Sequence, residues 1–164
     1  MSYINVNNIF SYTNPYGGAP GPNPPFPGKI KILYSPLLHG FMCDAIHGGS
    51  HAEGERSKAY GSPSHAEGYK TEAFGAYSHS EGYETQAHAE GSHAEGYRTE
   101  VVSGTSVTGH YAHAEGGYTN AHGQYSHAEG SSTNAIGNTS HAEGKHTTST
   151  GINSHAEGLF SESI

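Results

Sequence analysis

Residues 64–77 read Ser64-His-Ala-Glu-Gly-Tyr-Lys-Thr-Glu-Ala-Phe-Gly-Ala-Tyr77, and variants of this fourteen-residue unit fill most of the chain. Its opening motif, Ser-His-Ala-Glu-Gly or a close variant, occurs eight times. The copies begin at Ser50, Ser64, Ser78, Ser92, Ala112, Ser126, Ser140 and Ser154. Successive starts lie fourteen residues apart, except for a spacing of twenty between Ser92 and Ala112. A fixed period of this kind indicates a repeat protein, in which each unit packs on its neighbours.

Each unit divides into two halves that share the pattern Ser/Thr-x-Ala-x-Gly-x-x, as in 64–70 and 71–77. A seven-residue period can indicate a coiled coil, but coiled coils need two apolar positions in every heptad. Here nearly every half carries a glycine, which costs about 1 kcal/mol at each helical position. Small and large residues alternate within Ser-His-Ala-Glu-Gly, and this alternation is typical of a β-strand. Each unit is therefore predicted to hold two short strands and two turns.

These patterns predict an all-β fold, a parallel β-solenoid of fourteen-residue coils stacked about 4.8 Å apart, over residues 50–164. Alternation places the Ser, Ala and Gly of the motif towards a very narrow interior and the His and Glu outside. A threonine or serine row in the second half occupies an inward slot, which argues against an ice-binding face. So thin a rod buries little apolar surface, so we expect oligomerisation to stabilise it.

The composition narrows the possible partners. Hydrophobic residues make up 32% of the chain, below the roughly 45–50% of ordinary globular domains. Fifteen acidic residues oppose 7 basic ones, giving a net charge of −8, which argues against nucleic acid as a partner. Neither a signal peptide nor an apolar run of about 20 residues is visible, so no membrane insertion is expected. A single cysteine, Cys43, excludes an intrachain disulfide.

The ends of the chain do not follow the repeat. Residues 1–28 are rich in proline, which favours a stiff, extended arm that attaches to another protein. Residues 29–49 contain a strand-like stretch and several apolar residues, and we interpret them as an N-terminal cap with Cys43 buried in it. The last coil stops at Ile164, and the sequence leaves open whether more chain follows or another subunit meets this end.

The repeat is irregular in one region. In the second half of the coil that starts at Ser78, Ala89 takes the usual glycine position. The next coil carries six extra residues, which we place in a loop. The predicted surface-binding loop comprises Thr99, Glu100, Val101, Val102, Ser103 and Gly104. Insertions in solenoids commonly form loops on one face, often the binding face, although an accommodated loop without a ligand is the simpler alternative.

The doubled pattern resembles the head repeats of YadA-like trimeric autotransporter adhesins, and the Ser-His-Ala-Glu-Gly variant is similar to repeats of phage and prophage tail appendages. The resemblance covers residues 50–164 and none of 1–49. It implies a left-handed parallel β-roll in which three chains pack around a common axis, that is, a homotrimer. In the usual Ser-Val-Ala-Ile-Gly form of the family, the second and fourth residues pack towards that axis. Here those positions hold His and Glu, which departs from the apolar family interface.

Carried onto this chain, the resemblance implies a polar subunit interface of stacked His and Glu. Its residues are His51, Glu53, His65, Glu67, His79, Glu81, His93, Glu95, His113, Glu115, His127, Glu129, His141, Glu143, His155 and Glu157. Because histidine titrates near pH 6.5, this pairing should respond to pH, and ion pairing of charged His and Glu would strengthen it. Imidazole and carboxylate are also ordinary ligands of zinc or nickel, which is the alternative function for these rows.

We predict no catalytic residue, because identical sites along a rod do not form a cleft. We predict no resident metal and no cofactor either, since metal sites usually occur once or twice with special spacing and not in every coil. The function that we expect is a structural or adhesive trimeric fibre component of a phage or prophage tail appendage, located on a virion or an extracellular surface. A cell-surface or extracellular-matrix fibre subunit is one alternative. A metal-binding or glycan-binding scaffold is another, since tyrosines at the turns, such as Tyr83 and Tyr125, could stack on sugars of a host surface.

Overall fold

The structure, a computed structural model, describes residues 30–33, 42–102 and 109–164. Eight five-residue strands each begin at the histidine of a repeat. They are β3 (His51–Glu55), β5 (His65–Tyr69), β7 (His79–Tyr83), β9 (His93–Tyr97), β11 (His113–Gly117), β13 (His127–Ser131), β15 (His141–Lys145) and β17 (His155–Leu159). The described part of the chain contains no helix that is long and apolar enough to cross a membrane.

The second half of each repeat forms a strand of only two residues. These strands are β4 (Lys58–Ala59), β6 (Glu72–Ala73), β8 (Gln86–Ala87), β10 (Glu100–Val101), β12 (Asn120–Ala121), β14 (Asn134–Ala135), β16 (Thr148–Ser149) and β18 (Glu162–Ser163). The two halves share a sequence pattern, but they do not form equal strands.

The strands stack into two parallel sheets, so the predicted all-β solenoid is confirmed, with about eight turns. The long strands form an eight-stranded sheet in the order β3-β5-β7-β9-β11-β13-β15-β17. The short strands form a second sheet in the order β4-β6-β8-β10-β12-β14-β16-β18. Identical motif residues lie opposite each other: His113 pairs with both His93 and His127, and Glu115 lies beside Glu95. The six extra residues leave this register intact.

Two N-terminal strands extend the second sheet beyond the repeats. Strand β2 (Met42–Ala45) pairs in parallel with β4, and β1 (Ile30–Leu33) pairs antiparallel with β2. Cys43 is buried at this end of the solenoid, as predicted. The division into arm, cap and solenoid stays a prediction, and the predicted arm, residues 1–28, lies outside the described residues.

The interior of the solenoid is made almost entirely of small residues. The motif alanines, such as Ala66 and Ala114, are completely buried, and so are the threonines of the inward row, such as Thr71 and Thr133. Val101 is the largest side chain that is fully buried among the described residues. The predicted inward row of Ser, Ala and Thr is therefore confirmed, and it leaves very little apolar side chain inside each turn.

A column of glycines sets how closely successive turns approach. The motif glycines have φ between 104° and 122°, a region that L side chains rarely adopt. A Cβ on Gly130 would lie 2.1 Å from the carbonyl oxygen of Gly144 in the next turn. On the other side of the solenoid, a Cβ on Gly123 would lie 1.9 Å from the Gly137 carbonyl oxygen. Glycine is therefore required for direct contact between the backbones of neighbouring turns.

Both corners of each turn place residues other than glycine in the left-handed region. Lys70 has φ 53° and Tyr125 has φ 57°, and eleven further residues at equivalent corners are similar. Left-handed backbone costs roughly 1–2 kcal/mol for an L-residue. Hydrogen bonds between turns offset this cost, since the Lys70 amide donates to the Glu55 carbonyl at 2.8 Å and the Tyr125 amide to the His110 carbonyl at 2.9 Å. The sequence pattern gives no sign of this backbone conformation, because glycine rarely marks it.

We expect Gly130→Ala to lower the free energy of unfolding by about 3 kcal/mol, because the new Cβ meets the Gly144 carbonyl and requires φ +113°. The matched control is Gly117→Ala in β11, where a Cβ meets nothing within 4 Å. The control should stay within about 0.5 kcal/mol of the wild type in urea denaturation. Equal effects of the two substitutions would contradict the close contact between turns.

Candidate functional site

The outward face of the eight-stranded sheet carries a continuous column of stacked imidazole rings. Because the strands are parallel and in register, each motif histidine lies directly above the histidine of the preceding turn. Neighbouring ring centroids are 4.5–4.9 Å apart along the whole column, and the ring planes differ by 2–23°. The structure therefore brings all eight predicted histidines into one ladder, which we call the histidine column.

The motif glutamates form a second column beside the first, two residues further along each strand. In six turns a histidine Nε2 lies 3.8–3.9 Å from the Oε2 of the glutamate in the same motif. This separation is too long for a hydrogen bond. The Nε2 atoms that are shielded from water and make no hydrogen bond belong to His65, His79, His93, His113, His127 and His141. Within one chain, the histidine nitrogens therefore lie near the glutamate oxygens but do not form hydrogen bonds with them.

The environment of the histidine column disfavours the charged imidazole. Burial is the largest cause that lowers the pKa of His65, His79, His113 and His141, and neighbouring histidines in the stack lower it further. Nearby glutamates, such as Glu115 beside His113, oppose the shift only partly. From the sequence we expected the His–Glu pairing to respond to pH and to strengthen when both residues are charged, whereas burial and stacking favour the neutral imidazole at these four histidines. The sequence could not show this, because the cause is the contact between one turn and the next.

In the middle of the solenoid the two columns converge into three groups, each of two histidines and one glutamate. The groups are His93, Glu95 and His113; His113, Glu115 and His127; and His127, Glu129 and His141. One nitrogen from each histidine and one carboxylate oxygen lie within 4.8 Å of one another in every group. The sequence indicates that these residue types repeat, but only the register places two turns around one point.

The structure corrects the position of the predicted surface loop. Thr99 is buried, and Glu100 and Val101 form strand β10, which pairs with β8 and β12 in regular register. The prediction is therefore wrong for these three residues. The Val102 amide still donates to the Ala121 carbonyl of the next turn at 3.1 Å. Ser103 and Gly104 lie outside the described residues, so the ligand-binding role of the insert stays a prediction.

The alanine at the glycine position precedes the insert by one turn. Ala89 is 1% exposed, and its turn keeps normal register through β8. In regular turns, a Cβ at this position would collide with the carbonyl of the residue fourteen positions further along the chain. For Gly75, that carbonyl belongs to Ala89. Fourteen positions beyond Ala89 is Ser103, which lies outside the described residues.

Tyrosines continue the pattern of stacked columns. The Tyr83 ring lies between Tyr69 and Tyr97, with centroids 4.9 and 5.1 Å away, and Tyr118 packs edge-on against Tyr97. Stacking covers both faces of the Tyr83 ring, so only its edge is free for a sugar, although sugars bind preferentially to aromatic faces. The Tyr77 ring, at 68% exposure, is more accessible. Glycan binding stays a prediction, and Tyr83 is a poor candidate for it because both faces of its ring are covered.

The second sheet carries a ladder of opposite charges that the sequence analysis missed. Lys58 Nζ donates to Glu72 at 2.7 Å, and Glu84 accepts from Lys70 Nζ at 2.9 Å and from Arg98 Nε at 2.8 Å. These bonds hold the pKa of the Glu84 carboxyl below its usual value. The signal that could have revealed them is opposite charge fourteen residues apart. Such exposed pairs contribute little stability but favour correct register.

Comparisons with known proteins leave the chain without an assigned relative. No protein-family model matches the sequence. No curated protein matches it significantly. No solved structure matches it significantly either. The function is therefore argued from the geometry of this chain and from the repeat pattern.

The histidine column makes stability depend on pH. The folded-state pKa of His65, His79, His113 and His141 lies below the unfolded value near 6.5, so at these four residues the unfolded chain takes up protons first as pH falls. The midpoint of urea denaturation should therefore fall between about pH 7.5 and about pH 5.5. In the variant His113→Gln/His141→Gln the decrease should be smaller. Rising stability on acidification would instead indicate that charged His–Glu pairs form.

Proposed function

We propose that this chain is a structural subunit of a homotrimeric fibre in a phage or prophage tail appendage. Each subunit would form a left-handed roll of fourteen-residue coils. The histidine column and the glutamates beside it would face the trimer axis. Residues 1–28 would attach the fibre, and the rod would project from the particle or bind a surface.

The observation that carries this proposal is the contrast between a minimal core and a long polar face. Fully buried side chains in the described turns are limited to Ala, Ser, Thr and Val101, so each turn gains little from hydrophobic burial. Thin folds of this kind gain stability by association. The face that carries the His and Glu columns is the surface that repeats without interruption through all eight long strands. It is therefore the surface best suited to association.

The repeat spacing of this face favours a second copy of the chain as its partner. In the inner turns the His side chains are 34–38% exposed and the Glu side chains 44–49%, so both present atoms for contact. The columns repeat with a ring spacing of 4.5–4.9 Å. Only a surface with the same spacing can match it at every turn, and another copy has that spacing. Closed symmetric assembly is also the common outcome for homo-oligomers.

The oligomeric state tests the proposal. Light scattering coupled to size exclusion should give three times the chain mass of 17.2 kDa. The variant His93→Ala/His127→Ala removes two rings from the centre of the face and should shift the protein towards the monomer at low micromolar concentration. The change leaves a gap in the interface, and the uncovered glutamates repel each other.

The matched control is His88→Ala/His122→Ala, since these two histidines lie on the second sheet after β8 and β12. The control should keep the trimeric mass. A wild-type monomer would contradict the proposed assembly. Equal dissociation of the two double variants would contradict the assignment of the interface to the eight-stranded sheet.

The location on a tail appendage has its own test. Phage particles are collected from cells that produce this chain and examined by immunogold electron microscopy. Antibodies raised against residues 50–164 should label the tails of these particles. Labelling confined to the cell surface would contradict the tail assignment and favour a cell-surface fibre.

A further inference from the structure

Within a single chain, the histidine column leaves buried nitrogen atoms without a partner. Nε2 of His93, His113, His127 and His141 is shielded from water and makes no hydrogen bond among the described residues. An unsatisfied buried polar atom is costly, by about 1–3 kcal/mol. Four of them in consecutive turns indicate that something absent from a chain considered alone completes this part of the face.

We propose that the centre of this face binds two transition-metal ions per chain, with zinc as the reference ion. One site consists of His93, Glu95 and His113, and the other of His127, Glu129 and His141. Each ion would take one nitrogen from each of two stacked rings and one oxygen from the carboxylate beside them. The inference concerns one chain and does not depend on the proposed trimer.

At the first site, the separation of one His–Glu pair fits an ion better than it fits a direct hydrogen bond. His93 Nε2 lies 3.8 Å from Glu95 Oε2. In tetrahedral zinc sites, bonds of about 2.0–2.2 Å place neighbouring nitrogen and oxygen ligands about 3.4 Å apart. This pair therefore needs to close by only about half an ångström to hold an ion. In each of the two groups, one ligand atom from every residue lies within 4.8 Å of the other two, so the remaining ligands have to approach by up to about 1.4 Å.

The protonation state also suits a metal. A metal binds the neutral imidazole, and protonation competes with it. Burial and the neighbouring rings lower the pKa of His113 and His141, so both are neutral ligands at neutral pH. One carboxylate per site compensates part of the charge of a divalent ion. Nitrogen and oxygen donors together favour zinc, nickel or copper over calcium or magnesium.

The overlap of the three groups limits the stoichiometry to two. The middle group, His113, Glu115 and His127, takes one histidine from each outer group. A single Nε2 lone pair binds one ion, so an ion in the middle group would exclude both outer ions. Two ions are accommodated only when the outer groups are occupied and Glu115 is not a ligand.

This arrangement allows an experiment with a matched control in the same column. Metal-free wild-type protein, titrated with zinc chloride in a calorimeter, should bind two ions per chain. Glu95→Gln and Glu129→Gln should each reduce the number to one, because only one of the remaining groups can then be filled. Glu115→Gln makes the same chemical change between them and should still bind two. Visible absorption of cobalt in place of zinc should show tetrahedral coordination in both sites.

Three results would overturn the inference. The folded wild type could bind no zinc. Glu115→Gln could lose as many zinc ions per chain as Glu95→Gln loses. All three substitutions could leave the number of bound zinc ions unchanged. Circular dichroism of each variant separates lost binding from lost folding. Light scattering in the presence of EDTA measures the oligomeric mass without metal, so the proposed trimer and the proposed metal sites are tested separately. A trimer that binds no zinc retains the proposed function alone, and a monomer that binds two ions retains only the metal sites.

Discussion

The close approach of one backbone turn to the next is the constraint on which this structure depends. At seven of the eight motif glycines a Cβ would lie 2.0–2.2 Å from the carbonyl oxygen of the following turn, so no other residue fits there without a shift of the backbone. This contact fixes the register of the strands and leaves room inside mainly for Ala, Ser and Thr, with Val101 the largest fully buried side chain among the described residues. The protein therefore cannot gain stability from a large core. Hydrogen bonds between turns and contacts of the outer faces have to supply it.

Because the register is fixed, equivalent residues of successive turns stack into a column. A residue in such a column has different chemical properties from the same residue alone on a surface. The rings stack on one another, and burial together with the neighbouring rings lowers the pKa of His113. The same stacking holds Nε2 atoms near carboxylates without a hydrogen bond. A polar face that is regular, partly buried and unsatisfied is suited both to another subunit and to a cation. The proposed interface and the proposed metal sites both rest on that property.

Much of the fold could be predicted from the sequence, because the alternation and the fixed period are local signals. The strands, the inward alanines and the outward His and Glu follow from them directly. What could not be predicted depends on contacts between turns. The left-handed backbone at residues such as Lys70 is stabilised by hydrogen bonds to the preceding turn. The insert was misplaced because residues 105–111 also match the half-repeat pattern, whereas Thr99 and Val101 continue the inward row and the sheet.

The central claim is that the face bearing the histidine column is buried between chains, and spin-label distances test it most directly. A label at position 117, introduced by Gly117→Cys in a Cys43→Ala background, lies on that face where a side chain meets nothing within 4 Å. A label at Asn134, in β14 of the second sheet, provides the comparison. The account predicts a single short distance between chains at position 117 and a longer one at position 134. A longer distance at 117 than at 134, or no coupling at either position, would contradict it.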